Sequence, residues 1–414
     1  MGTGEVGIKK RLVKSAFILL FSIIEGLLVT QESQYAVGLA IGAILLSVVW
    51  DRKLAVAVYV CLSLLHVELG TMGNALSIAV IGAIMGLDMI KVDLGGLRKY
   101  LKAIVIFSIV VVFSYFFAIE SSLVSVILFI FRLFFMLYVA KTVCDEKHGP
   151  ILFSIMAVGI AMLAMVWLFP QTVGVYSYQD NKKDLSTVLG VAIYLIFWWL
   201  VNKDINGFIN RSASIVLLLL FAVTTIFTYS RGVLLAVVVS ISFILLTMLK
   251  NRRFVVFFII AAVAALFYYE LPLQVNTERM FSNIEGGNGR TDIWMNFYEI
   301  MKSQGFMRLL LGCGTMGVTA LTLNGTYAHS AILDYFFSFG ILGLIFIIYM
   351  FVTITVTLVK AKNWHYTGLM ILTIFMFFPH GTHNDFQFLF LLGLCMGAAC
   401  LPYQNTAIVH NKTK

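Results

Sequence analysis

The sequence predicts an all-α, polytopic integral membrane protein of about 12–14 transmembrane helices with one long extracytoplasmic loop. Three observations predict it. Hydrophobic residues make up 61% of the chain and charged residues 12%, with a mean hydropathy of +0.97. Soluble domains sit near ~45–50% apolar and ~25% charged. The apolar residues come in continuous runs rather than alternating, which excludes a β-barrel. The cations gather in alternate loops, as the positive-inside rule requires.

The elements follow in order. Lys9, Lys10, Arg11 and Lys14 precede the first apolar run and look like a signal-peptide n-region. No small-residue cleavage site follows, so 15–30 reads as an uncleaved first helix. Further apolar segments lie at 36–50, 54–69, 74–90, 103–119, 121–140, 151–169, 185–201, 213–229, 232–249, 254–271, 329–359, 365–379 and 385–402. The segments 36–50, 54–69 and 365–379 are short. At ~1.5 Å per residue each barely crosses a ~30 Å hydrocarbon core. One pair can be re-entrant without changing the sidedness of the rest.

With both termini cytoplasmic, 21 of the 29 Lys and Arg fall in inner loops, and Arg132 lies mid-span. This places the chain in a cytoplasmic (inner or plasma) membrane. It also explains a pI near 9.2 without nucleic acid as a partner. The five cysteines form no external pair, so no disulfide framework is expected. No internal repeat is visible. The spans use nearly all of the 414 residues, which predicts a single membrane domain, 1–414, containing an extracytoplasmic loop at 272–328.

That loop is the long polar stretch of the chain, and it runs into the residues that can carry chemistry. Ile293, Trp294, Phe297, Ile300 and Met301 lie on one face of an amphipathic helix, with Thr291 and Asp292 near its start. Such a helix suits a lid on the membrane surface. His329 stands at the outer start of an apolar helix. There the helix dipole disfavours a positive imidazole, and a neutral imidazole can serve as a general base. On a continuous helix Gly340 and Gly343 fall about 20° and 40° from His329, which suits close approach of a helix or lipid chain. A surface histidine above an ordinary packing GxxG fits the same spacing.

Arg231 and Arg290 each precede a helix. Arg231 lies in the tight outer turn Tyr229-Ser230-Arg231-Gly232, and Arg290 follows Gly286-Gly287-Asn288-Gly289. An arginine at a helix N-terminus is an anion site that favours phosphate. The plainer alternatives are an arginine reaching lipid headgroups and a solvated loop arginine. Arg132 is costly at mid-span and faces a partner or cavity, with Glu25 and Glu120 as candidate partners. Ser330, Asp334 and the turn carrying His380, His383 and Asp385 complete the candidate substrate cleft. A zinc reading of that turn lacks a fourth ligand. Gly312-Cys313-Gly314-Thr315-Met316-Gly317 matches G-x-G-x-x-G, but it faces outside and lacks a βαβ unit. It reads as a turn that can offer backbone N–H groups.

In order, Ser230-Arg231-Gly232, Gly289-Arg290-Thr291-Asp292-Ile293-Trp294, Leu311-Gly312-Cys313-Gly314 and His329-Ser330, nine residues, then Gly340 and Gly343, resemble the O-antigen ligase and O-antigen polymerase superfamily. The histidine pattern of the ligases, H-[NSQ] followed by nine residues and G-x-x-G, is met in full. The resemblance implies a fold like that of GT-C-type membrane glycosyltransferases, with no metal and no cofactor. It implies an undecaprenyl-pyrophosphate-linked glycan as substrate, membrane lipid as surroundings, and flippase and chain-length regulator proteins as partners. By carry-over His329 activates the acceptor hydroxyl, and Arg231 and Arg290 hold the pyrophosphate. The expected activity is polymerisation of lipid-linked repeat units into a surface polysaccharide. Ligase-type transfer to a separate acceptor is the alternative, and a polysaccharide or lipid transporter is the second alternative.

Overall fold

The computed structural model describes residues 2–30, 34–65, 70–90, 95–119, 121–145, 150–168, 181–201, 211–227, 231–248, 290–303, 305–317, 330–377 and 385–401. Among them the regular structure is helical, without a strand. The helices are α1 (Gly2–Thr30), α2 (Gln34–Trp50), α3 (Arg52–Leu64), α4 (Gly70–Ile90) and α5 (Arg98–Phe117). There follow α6 (Leu123–Asp145), α7 (Pro150–Leu168), α8 (Asn181–Val201), α9 (Arg211–Phe227) and α10 (Arg231–Met248). The C-terminal third holds α11 (Arg290–Ser303), α12 (Phe306–Leu311), α13 (Ala331–Lys360), α14 (Trp364–Phe377) and α15 (Phe386–Cys400).

Thirteen of the fourteen apolar segments are helices, and 254–271 lies outside the described residues. By length and composition, 95–117, 123–144 and 331–360 can each cross a membrane unaided. Eight shorter apolar helices of 10–17 residues accompany them among the described residues. The outward face of α5 is itself apolar, with Ile106, Ile109, Phe113 and Phe116 exposed. A helix that is hydrophobic all round belongs in lipid.

Residues expected in inner loops meet at one end of the bundle. Lys14 pairs with Asp51, and Arg52 reaches Asp88 at 3.7 Å. Tyr138 donates to Asp88 at 2.8 Å, and Lys99 donates to Thr357 at 3.3 Å. At the opposite end Ile119 N–H donates to the Cys313 carbonyl at 3.0 Å, and Ser121 and Ser125 meet the Thr315 hydroxyl at 3.0 and 2.6 Å. The packing therefore groups the loops as the cation pattern does.

The long helix α13 departs from expectation in two ways. It begins at Ala331, with Ser330 extended before it, so His329 precedes the helix and lies outside the described residues. It also breaks at Gly340, whose φ of 67° and ψ of −157° are non-helical. The projection that stacked Gly340 and Gly343 beneath His329 on one continuous stripe therefore does not hold. A Cβ on Gly340 would overlap the carbonyls of Leu309 and Leu310 in α12, and one on Gly343 would overlap the Tyr335 carbonyl. Both glycines serve the break: the first turns the chain against α12, and the second seats the outer half of α13 on the inner half.

A break frees carbonyls that lack water in a membrane interior, so other donors must take them. The Gly312–Gly314 strap supplies them. Cys313 N–H donates to Phe337 O at 2.9 Å, Gly314 N–H to Ser338 O at 3.0 Å, and Ser114 Oγ to Ser338 O at 3.3 Å. Gly312 at φ 80° lies where a Cβ would strike Ser338 and Phe339. The glycine-rich motif thus spends these N–H groups on the protein's own backbone rather than on a ligand.

Candidate functional site

The candidate site residues lie at or near the starts of several helices. Helix α10 starts at Arg231 and α11 at Arg290, so both arginines occupy the first helical position. Their side chains lie outside the described residues. Gly190 of α8 receives Val233 and Val237 of α10 together with Met376 of α14, which fixes the outer part of α10 against the bundle.

The amphipathic helix forms as its pattern predicts. Phe297 and Met301 of α11 are buried against Phe337 and Cys313, with Leu333 and Phe336 alongside. The Phe297 and Phe337 rings stack at 4.6 Å between centroids. The helix therefore docks on the outer half of α13 and closes over it. Ile293 lies outside the described side chains.

Ser330 sits at the N-cap of α13 with an extended backbone, yet its hydroxyl caps nothing. Ser330 is 1% exposed, and among the described residues its hydroxyl has no hydrogen-bond partner. A buried hydroxyl without a partner is costly, and this one stands next to His329. One turn on, Asp334 is fully buried.

Arg132 joins the same region by a route the sequence did not indicate. Its electrostatic partners are Tyr59 and Asp385. Glu25, a candidate partner in the sequence, is buried on α1 with neither carboxylate oxygen hydrogen-bonded among the described residues, and its neighbour Gly26 packs on Met165 and Ala161 of α7. Glu120 lies outside the described residues. Asp385 caps α15, accepting from Gln387 N–H at 2.9 Å and Phe388 N–H at 3.3 Å. Tyr335 on α13 feels both Asp334 and Asp385. Arg132 and Asp385, far apart in the chain, thus interact through space, with Tyr59 near Arg132 and Tyr335 near Asp385. His380 and His383 lie outside the described residues, a few positions before Asp385.

The sequence reading missed the two tyrosines and the Gly393-x-x-x-Gly397 pattern of α15. That pattern was available as a signal: small residues four apart let helix backbones approach closely. Gly393 lies against Met136 and Val139, and Gly397 against Ala140 and Val143. This contact brings Asp385 to α6.

Residues 215–348 match the family model described as O-antigen ligase. Over that stretch the chain is similar to the O-antigen ligase family. No curated protein matches the chain. The ligase-family stretch opens within α9 and ends in the inner half of α13, so it takes in Arg231, Arg290, the Gly312–Gly314 strap, Ser330 and the break at Gly340. Arg132 and Asp385 lie outside it. The resemblance read from the ordered motifs and the ligase-family match cover the same part of the chain.

Proposed function

We propose that this protein polymerises undecaprenyl-pyrophosphate-linked oligosaccharide repeat units into a surface polysaccharide at the outer leaflet of the cytoplasmic membrane. The ligase-family match over 215–348 carries the reading, because it supports glycan transfer of the ligase or polymerase type. In the mechanism, Arg231 and Arg290 neutralise the pyrophosphate from two helix N-termini. The acceptor hydroxyl oxygen attacks the anomeric carbon, His329 takes its proton, and the C1–O bond to pyrophosphate breaks. Direct displacement inverts the anomeric centre. General-base assistance of this kind contributes ~10²–10⁴-fold. The reaction is metal-independent, since guanidinium groups and helix dipoles stabilise the leaving group. A polymerase needs one kind of lipid-linked glycan, bound once as donor and once as acceptor.

Ligase-type transfer to a separate acceptor is the second reading, favoured by the His329–Gly343 spacing and by the ligase description of the matching family. The broken helix α13 invites the transporter reading, since unwound helices carry ion sites in transporters. Here, however, the freed carbonyls of Phe337 and Ser338 are held by Cys313, Gly314 and Ser114.

The test of the clamp is Arg231→Lys and Arg290→Lys in the purified full-length protein with lipid-linked repeat units. A lysine keeps the charge and loses the bidentate fork. The expected result is at least a ~10-fold fall in chain extension for each. Full activity in both variants overturns the clamp.

A further inference from the structure

Arg132 and Asp385 take no part in the transfer chemistry above and lie outside the ligase-family stretch. Their placement is nevertheless specific. Helices α6 and α15 run side by side in the same direction, because Gly393 meets Met136 and Val139 while Gly397, four residues on, meets Ala140 and Val143. Followed outward, that register brings the start of α15 to Arg132. The Phe135 and Phe386 rings, 5.5 Å apart between centroids, confirm it. Arg132 is nine residues into α6, ~14 Å from its outer end at 1.5 Å per residue. The N-terminus of α15 is therefore sunk below the outer end of α6.

Both Arg132 and Asp385 are half-buried, so part of each is open. An arginine open to lipid tails at that depth is unfavourable, and charged residues inside membrane bundles face interior cavities instead. The open side is therefore expected to face a polar recess rather than lipid. Its wall is aromatic: Tyr59 lies 6.2 Å from Phe131, 5.4 Å from Phe135 and 6.0 Å from Phe386. The charges are of mixed sign, with Asp385 an electrostatic partner of Arg132. A phosphate gains less from an arginine whose charge is opposed by a carboxylate. A neutral polyol gains from both Arg132 and Asp385, since its hydroxyls donate to carboxylate and accept from guanidinium while its ring lies on an aromatic face.

We infer that Arg132 and Asp385, with Tyr59 beside them, form a subsite for the hydroxyls of a pyranose ring of the lipid-linked glycan. The inference rests on the glycan-transfer reading. It assigns these residues to binding sugar, apart from the pyrophosphate clamp.

The experiment measures initial rates of the purified full-length protein with undecaprenyl-pyrophosphate-linked oligosaccharide extracted from the producing strain, and His329→Ala as the control. The expected result for Arg132→Gln is a rise in KM of at least ~10-fold with kcat within ~3-fold. Arg132→Lys keeps the charge balance with Asp385 and is expected to fold, and it raises KM as well. The neutral pair Arg132→Gln with Asp385→Asn separates binding from scaffolding. Asparagine still caps α15, and a purely structural ion pair is restored once both charges are gone. Wild-type KM in the double variant, or in Arg132→Lys, overturns the subsite. Persistent high KM in both supports it. Wild-type protein that extends no chains overturns the glycan-transfer reading itself and leaves the subsite without its substrate, whereas an active His329→Ala protein overturns only the role of His329.

Discussion

Cys313 shows how one residue is fixed by its surroundings. It sits in the strap between two glycines of positive φ, fully buried against Met301 and Phe337. Burial pushes its thiol up from 9.0 to about 11, with Arg308 opposing. The folded state therefore holds the proton more tightly than the unfolded chain. The stability from this group is fully present below pH 9 and is lost as pH rises through about 11. Melting curves of wild type and Cys313→Ala between pH 8 and 11 check this: the wild type is expected to lose more stability over pH 9 to about 11 than the variant does. The sequence placed Cys313 outside the spans. Its burial was not legible, because it depends on α11 folding back over the strap.

At the scale of the element, the histidine-to-glycine motif is a device for breaking a helix. The spacing from His329 to Gly343 was visible in the sequence and its geometry was not. A helical projection assumes constant φ and ψ, and Gly340 violates that assumption at a point that no local propensity marks. The partner that makes the break tolerable, Gly312–Gly314, lies more than twenty residues upstream in a segment that read as an open turn. Gly340→Ala forces a Cβ into positive φ and onto the α12 backbone. The expected cost is at least ~2 kcal/mol from the backbone conformation alone. Thermal melts in detergent check it against Gly305→Ala, where a Cβ meets nothing within 4 Å and stability is expected to be unchanged. The amphipathic helix α11 is the opposite case. Its face was legible because a 3.6-residue period is local, and Phe297 and Met301 bury as that period requires.

At the scale of the whole molecule, the alternation of cations predicted which loops share an end, and the contacts of Lys14, Asp51, Asp88 and Thr357 at one end and of Ile119, Cys313 and Thr315 at the other follow it. Most helices were legible because lipid demands long apolar runs. The approach of Arg132 to Asp385 was not, since it arises from the parallel register of α6 and α15 across more than 250 residues. Orientation is tested by Lys302→Cys and Lys362→Cys with a membrane-impermeant thiol reagent on intact cells. Lys302→Cys is expected to label directly and Lys362→Cys only after permeabilisation, and the reverse pattern inverts the topology. The central claim is that His329, entering the broken helix α13, drives transfer of a lipid-linked glycan. The most direct measurement is the length of glycan on the polyprenyl carrier in a strain carrying only His329→Ala. Accumulation of single repeat units is the predicted result. Long chains left unattached would assign the step to ligation instead, and a normal length profile with normal surface polysaccharide would contradict the account.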